Sequence, residues 1–327
     1  MTATMTPPPE APQAPEAAPD RSSSTPPAQK LQQTMAAVRL SVRWLGVRRS
    51  LEPHQRAQAA QTFGAEDQYL SAAKKLLDTS HTAYRAVTTI RNQAVGYWRG
   101  MSLPFPEPGV RLLRQDQVDD FEAQMRRFTG ELDEAVAELD RHYGELKLDA
   151  RRRLGDLFHE GDYPPTLRGL FALTWDYPAV EPPRYLLNLN AKLYEQEQQR
   201  IAARFEQAVE LAEQAFGAEL QKLVAHLADR LSGAEDGKPR VFRDSAVENL
   251  REFFDRFSNL SIRSNAELEN LVATARRTLG DVEPDQLRRS GSLRQQIAQR
   301  MEKVAGALDQ LMVQRPRRSI IRRGRAE

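Results

Sequence analysis

Apolar residues recur along residues 118–146 at steps of three and four. Val118, Phe121, Met125, Phe128, Leu132, Val136, Leu139, Tyr143 and Leu146 fall on one stripe, with acids and arginines between them. This spacing is close to the heptad repeat of a coiled coil and predicts a helix over 115–146, about 48 Å long at about 1.5 Å per residue. A second run, over 188–231, carries Leu193, Ile201, Phe205, Ala212, Phe216, Leu220, Leu223, Leu227 and Leu231 in the same way. Two long amphipathic helices on either side of one interruption predict an antiparallel hairpin, each supplying the apolar surface the other needs. Three shorter helices follow, with apolar positions beginning at Val247, Leu268 and Leu293, and with Ser264 and Ser290 placed to act as N-caps.

Upstream, Leu70, Leu77, Tyr84, Ile90 and Trp98 predict a helix over 65–98, and the three prolines of 102–109 forbid its continuation. Val38, Leu40, Val42 and Trp44 alternate with Arg39, Ser41 and Arg43, the period of a short strand. No partner strand is evident, so the alternative is an extended segment laid along a helix pair. The expected fold is therefore mainly α: an elongated antiparallel helical bundle or coiled-coil hairpin with at most a short N-terminal strand. Residues 1–34, with eight prolines and a serine run, read as a disordered tail. Residues 35–313 form the helical domain, with hairpin helices at about 112–160 and 187–232 and C-terminal helices over 244–313. Residues 314–327 are an arginine-rich disordered tail.

The interruption itself, GDYPPTLRGLFALTWDYP at 161–178, repeats Asp-Tyr-Pro fourteen residues apart. Leu167, Leu170, Phe171, Leu173 and Trp175 are too apolar for a solvated loop. A short helical turn capping the hairpin tip accounts for them, with each Asp bonding a nearby backbone N–H and each Pro extending the Tyr before it. The sharper alternative is a partner-docking surface made by Tyr163, Phe171, Trp175 and Tyr177, since aromatic loops carry binding hot spots.

Composition narrows the chemistry. Charged residues are 28% and aromatics 7%, which favours extended helical structure over a compact α/β enzyme. Cysteine is absent, which excludes disulfides, thiolate nucleophiles and cysteine-bound zinc. No run approaches the roughly 20 apolar residues that span a bilayer, and the N-terminus lacks a secretion signal, so a cytoplasmic location is expected. None of the five histidines has HExxH spacing, and the GAEDGKP of 233–239 fails as a phosphate loop because its glycines are too close and Pro239 stands where Ser or Thr belongs. No catalytic residue, metal site or cofactor is expected, and the chain reads as non-enzymatic.

The charge balance, 47 basic against 45 acidic residues, hides an asymmetry. Residues 286–327 hold eleven basic and three acidic residues, which leaves 36 and 42 for the rest. The extreme end carries Arg315, Arg317, Arg318, Arg322, Arg323 and Arg325, which suit phosphate or carboxylate contacts. Without stacking aromatics, nucleic-acid binding there would be independent of sequence.

Three stretches together resemble a known group. LSVRWLGVRRSLEP (40–53), the helix from Ala65 ending in GYWRGMSLP (96–104), and the long charged helix followed by DYPPTLRGLFALTWDYP are similar to an uncharacterised α-helical family, a domain of unknown function of phages, plasmids and other mobile elements. The likeness spans about 38–185. It implies no activity, cofactor or site residues. It does imply a companion role beside AAA-type ATPases and metal-binding adhesion-like domains. The expectation is an interaction or assembly protein, with an AAA-type ATPase as candidate partner and self-association open. The alternative is a nucleic-acid-associated protein using the C-terminal arginines.

Overall fold

The computed structural model describes residues 25–232 and 244–314. At its centre is the strand β1 (Met35–Arg43). Its first half pairs antiparallel with β5 (Val110–Arg114), from Met35 opposite Arg114 to Arg39 opposite Val110. Its second half pairs antiparallel with β6 (Ala172–Asp176), from Arg39 opposite Asp176 to Arg43 opposite Ala172. The edge strand β4 (Ser102–Pro104) pairs with β5 to complete the order β4-β5-β1-β6. A separate two-stranded ribbon, β2 (Arg48–Ser50) with β3 (Ala73–Lys75), encloses α2 (Pro53–Thr62). The helix α3 (Thr82–Gly100) follows β3, and α4 (Val118–Arg141) follows β5. The four-stranded sheet is thus traced β-α-β-β-α-β, the split arrangement of ferredoxin-like sandwiches, with the ribbon inserted before the first crossover helix.

Both faces of this sheet are buried. Met35, Ala37, Leu103, Val110 and Leu112 belong to one core, and Val38, Leu40, Leu113 and Leu173 to the other. Alternation along a strand puts Ala37 and Val38, or Leu112 and Leu113, on opposite sides. The second core is closed by α3, α4 and α5 (Tyr143–Leu154). Every stripe residue from Phe121 to Leu146 is buried there, against Tyr84, Val87, Ala94 and Trp98 of α3. The first core is closed by α1 (Pro27–Thr34), α7 (Ala191–Ser232), α8 (Ser245–Leu260), α9 (Ala266–Leu279) and α11 (Gly291–Gln314), with α10 (Pro284–Arg289) as a connector. Its spine is α7 on α11: Gly217 lies where a Cβ would stand 3.3 Å from Met312 Sδ, so the absent side chain makes room for the neighbouring helix. Glu107 ties sheet to bundle, its carboxylate 3.0 Å from Arg39 Nη2 and 3.7 Å from Arg204 Nη1.

The elongated coiled-coil hairpin is therefore corrected. The apolar stripes are real, but α4 packs on α3 and the sheet, while α7 packs on α11, α8 and α1. An amphipathic face demands a partner without naming it. The N-terminal strand is longer than its alternation indicated and has two partners. Over 65–98 only α3 is α-helical. The residues before it supply β3, and Leu76 and Leu77 enter the core from the stretch that follows. The break at 161–178 holds the edge strand β6 rather than a helical cap. Of the stretch 1–34, residues 1–24 lie outside the described residues, while α1 inserts Leu31 fully into the core. Ser290 accepts from Leu293 N–H at the start of α11 as expected, but α9 is capped by Asn265, whose Oδ1 accepts from Leu268 N–H, rather than by Ser264.

Two-sided burial makes a direct prediction. Leu112→Ala and Leu113→Ala, adjacent in sequence and both fully buried, should each lower stability by about 2–5 kcal/mol in urea unfolding. A half-solvated strand would give one large loss and one negligible one.

Candidate functional site

The stretches that hold the repeated Asp-Tyr-Pro units are anchored, by Asp162 and Tyr163 in the first and by Trp175 and Tyr177 in the second. In the first, Asp162 Oδ2 lies 2.7 Å from Lys74 Nζ, and Asp162 Oδ1 accepts from Arg49 Nε at 3.2 Å. The Lys74 side chain is 6% and that of Asp162 10% exposed, so this is a buried pair, and Lys74 Nζ also donates to Leu157 O. The ammonium of Lys74 holds the Asp162 carboxyl below its ordinary range, with Arg49 adding to the effect. Tyr163 is buried and donates to Leu76 O at 3.0 Å. These bonds fasten the β2–β3 ribbon to the chain entering β6.

The second unit leaves β6. Trp175 Nε1 donates to Glu122 Oε1 at 2.6 Å and Tyr177 OH to the same oxygen at 2.9 Å, while Arg126 Nη2 pairs with Oε2 at 2.7 Å. The indole N–H of Trp175 is the main cause holding the Glu122 carboxyl below its usual range, followed by Tyr177 and Arg126. Burial, then the bond to Glu122, pushes the Tyr177 phenol up. Between the units Phe171 is buried edge-on against Trp44, ring centroids 4.8 Å apart. Of the four aromatic residues expected to form a docking surface, Tyr163 and Phe171 face the core, Trp175 is half-buried, and Tyr177 alone is well exposed, at 40%. Their geometry is that of a strap around the sheet edge. The other site expected from sequence, Arg315, Arg317, Arg318, Arg322, Arg323 and Arg325, lies outside the described residues.

Two surface features remain. The short helix α6 (Tyr185–Leu189) and the start of α7 present Tyr185 at 61%, Leu187 at 51%, Leu189 at 75% and Leu193 at 45% exposure. Leu193, expected on the packed face of the long helix, is thus open to solvent. The first buried residue of α7 is Ile201, so residues 191–200 project past the bundle. At these exposures the four side chains offer on the order of 400 Å² of apolar surface, the size of patch that marks interaction sites.

The second feature is a shallow groove of about 480 Å³ between α9 and α11. Leu271, Thr274, Arg277 and Thr278 line one wall, and Arg300, Lys303 and Val304 the other. Among the described residues Arg277 bonds only its own helix, at Ala273 O and Thr274 Oγ1. Neither it nor Arg300 nor Lys303 has a carboxylate within ion-pair distance among the described residues. Like charges one turn apart on a helix cost a few tenths of a kcal/mol. The neighbouring Arg276, by contrast, reaches Asp255 and Ser258 on α8. A further recess of about 460 Å³, where α1, β5 and α8 meet, has its guanidinium already engaged: Arg114 bonds Asp116 and Asn259 O.

Among the described residues no three His, Asp or Glu side chains gather where one metal ion would sit, and no helix is long and apolar enough to cross a membrane. No protein-family model, curated protein or solved structure matches the chain. The sandwich topology alone does not carry a function.

Two substitutions test the strap. Asp162→Asn should cost about 3–5 kcal/mol, because it strands the Lys74 ammonium in a buried setting, whereas Lys74→Met should cost less since Asp162 keeps Arg49. Glu122→Gln should cost about 1–2 kcal/mol at neutral pH. Because the folded-state Glu122 is more acidic than its ordinary value near 4.5, its contribution is complete above that value and lost as pH falls through the folded one. Denaturant melts across pH 3 to 7 should therefore show the difference between Glu122→Gln and the parent chain shrinking in acid.

Proposed function

We propose that the chain is a non-enzymatic interaction and assembly component, whose covered sheet is a scaffold and whose docking element is the projecting α6–α7 segment. The observation that supports this is the exposure of Tyr185, Leu187, Leu189 and Leu193, on helical turns that no other element among the described residues buries. A solvated position for four large apolar side chains in one stretch is unfavourable unless a partner covers them. The area bears on the kind of partner. Roughly 400 Å² is about half of what one side of a standard stable interface buries. That suits a transient contact with a different folded protein that offers an apolar cleft, not an obligate dimer of this chain. The resemblance to mobile-element proteins supports an AAA-type ATPase as the partner class.

The chain alone should scatter light as a 37.1 kDa monomer. A photo-crosslinker at Leu189 should trap a partner in cells, and with that partner purified, L187S/L189S should weaken binding by tenfold or more, about 1.4 kcal/mol. Leu148→Ser, equally exposed on α5, should leave binding unchanged. A dimer abolished by L187S/L189S would replace the hetero-partner reading, and robust turnover of a nucleotide or ester by the purified chain would overturn the non-enzymatic one.

A further inference from the structure

The geometry points to a second binding site, independent of the α6–α7 segment: we propose that the groove between α9 and α11 takes the phosphate backbone of a nucleic acid, without regard to sequence. Three cations from two helices, Arg277, Arg300 and Lys303, converge on one recess lined by no acidic residue among the described residues. Their charge is not consumed by the fold. Arg276 is the arginine of this pair that reaches across to α8, through Asp255 and Ser258, whereas among the described residues Arg277 bonds only backbone and a hydroxyl of its own helix. Arg300 and Lys303 bond nothing among the described residues.

The lining selects the ligand class. Guanidinium forks match the paired oxygens of a phosphate, and the hydroxyl of Thr278 is a further donor at the same wall, that of Thr274 being donated to Asn270 O. Among the lining residues there is no aromatic ring on which a base could stack and no carboxylate or amide to read a base edge. A duplex presents one negative charge about every 1.7 Å along its axis, so three cations at any register find phosphates. Arginine clusters also hold acidic protein segments, but the closely and regularly spaced charges of a duplex favour the phosphate backbone here. The α11 helix ends at Gln314, about 16 Å beyond Lys303 at about 1.5 Å per residue. Six arginines follow it in the sequence, but the groove stands on residues 271–304 alone.

The test is fluorescence anisotropy of the full chain with labelled duplexes of about 20 base pairs, in two unrelated sequences, from about 50 to 200 mM salt. Binding should be equal for the two sequences. R300Q/K303Q should make the slope of log K against log salt shallower by about 1.8, near 0.9 per lost cation, and weaken binding about tenfold or more at the low-salt end. Both positions are exposed, so circular dichroism and melting should be unchanged, and Arg276→Gln should leave the slope as it was. An unaltered slope in R300Q/K303Q would place any binding elsewhere, in the terminal arginines, and overturn the site. No binding by the full chain would overturn it too. Equal competition by polyglutamate of matched charge would reassign the groove to acidic protein.

Discussion

The two-sided burial of β1 is the constraint on which the other elements depend. With Met35 and Ala37 on one side and Val38 and Leu40 on the other, a strand of this kind is stable only if both faces are covered. The helices α3 and α4 cover one face, as in a two-layer sandwich. The other face would leave Leu103, Val110 and Leu112 in water, and α1, α7 and α8 are placed there. β1 also holds both registers, with β5 along its first half and β6 along its second, and Arg39 is the residue common to the two. Removing it would unpair the sheet and expose two cores together. In nucleic-acid-binding sandwiches the open sheet face carries the ligand. Here that face is a core.

Charge plays two separable parts in this framework. Most ion pairs are on the surface and contribute little each, in the range of about 0–1 kcal/mol. The pairs that shape the fold are more shielded: Lys74 with Asp162 is buried and Glu122 with Trp175 is partly so, Tyr177 adding a bond on the exposed side. Together they close β6, an edge strand, against the ribbon and against α4. An edge strand held by side chains at both ends resists fraying.

Helices were legible because each buries one stripe, so α4, α5 and the packed part of α7 could be read from three-four spacing. Strands buried on both sides lose alternation, and β4 and β5 are three and five residues long with proline or arginine in them. Their pairing is also non-local: Met35 meets Arg114 and Arg39 meets Asp176, and no local pattern encodes that. The hairpin expectation failed for a related reason, since hydrophobic periodicity specifies a face and not its neighbour. The aromatic stretch 161–178 was rightly read as too apolar for a solvated loop, but the cap it was expected to form is a strand, anchored by Asp162 and Tyr163 on one side and by Trp175 and Tyr177 on the other. The groove was missed because Arg277 and Arg300 become neighbours only when α9 meets α11. A fainter signal was present in Arg300 and Lys303, like charges one turn apart.

Both proposed surfaces lie on helices of the C-terminal half, and there is a physical reason for that division. A strand extended beyond its sheet exposes unpaired N–H and C=O groups, which invites aggregation. A helix satisfies its own backbone and grows at little cost once nucleated. The 42-residue α7 can therefore bury Ile201 to Leu231 in the core and still carry residues 191–200 into solvent. In the same way α9 and α11 bury Leu268, Val272, Ile297 and Met301 on one side while turning Arg277, Arg300 and Lys303 outward on another. The sandwich fixes positions, and helices that outrun or face away from the core are the elements free to present apolar or cationic groups to something else.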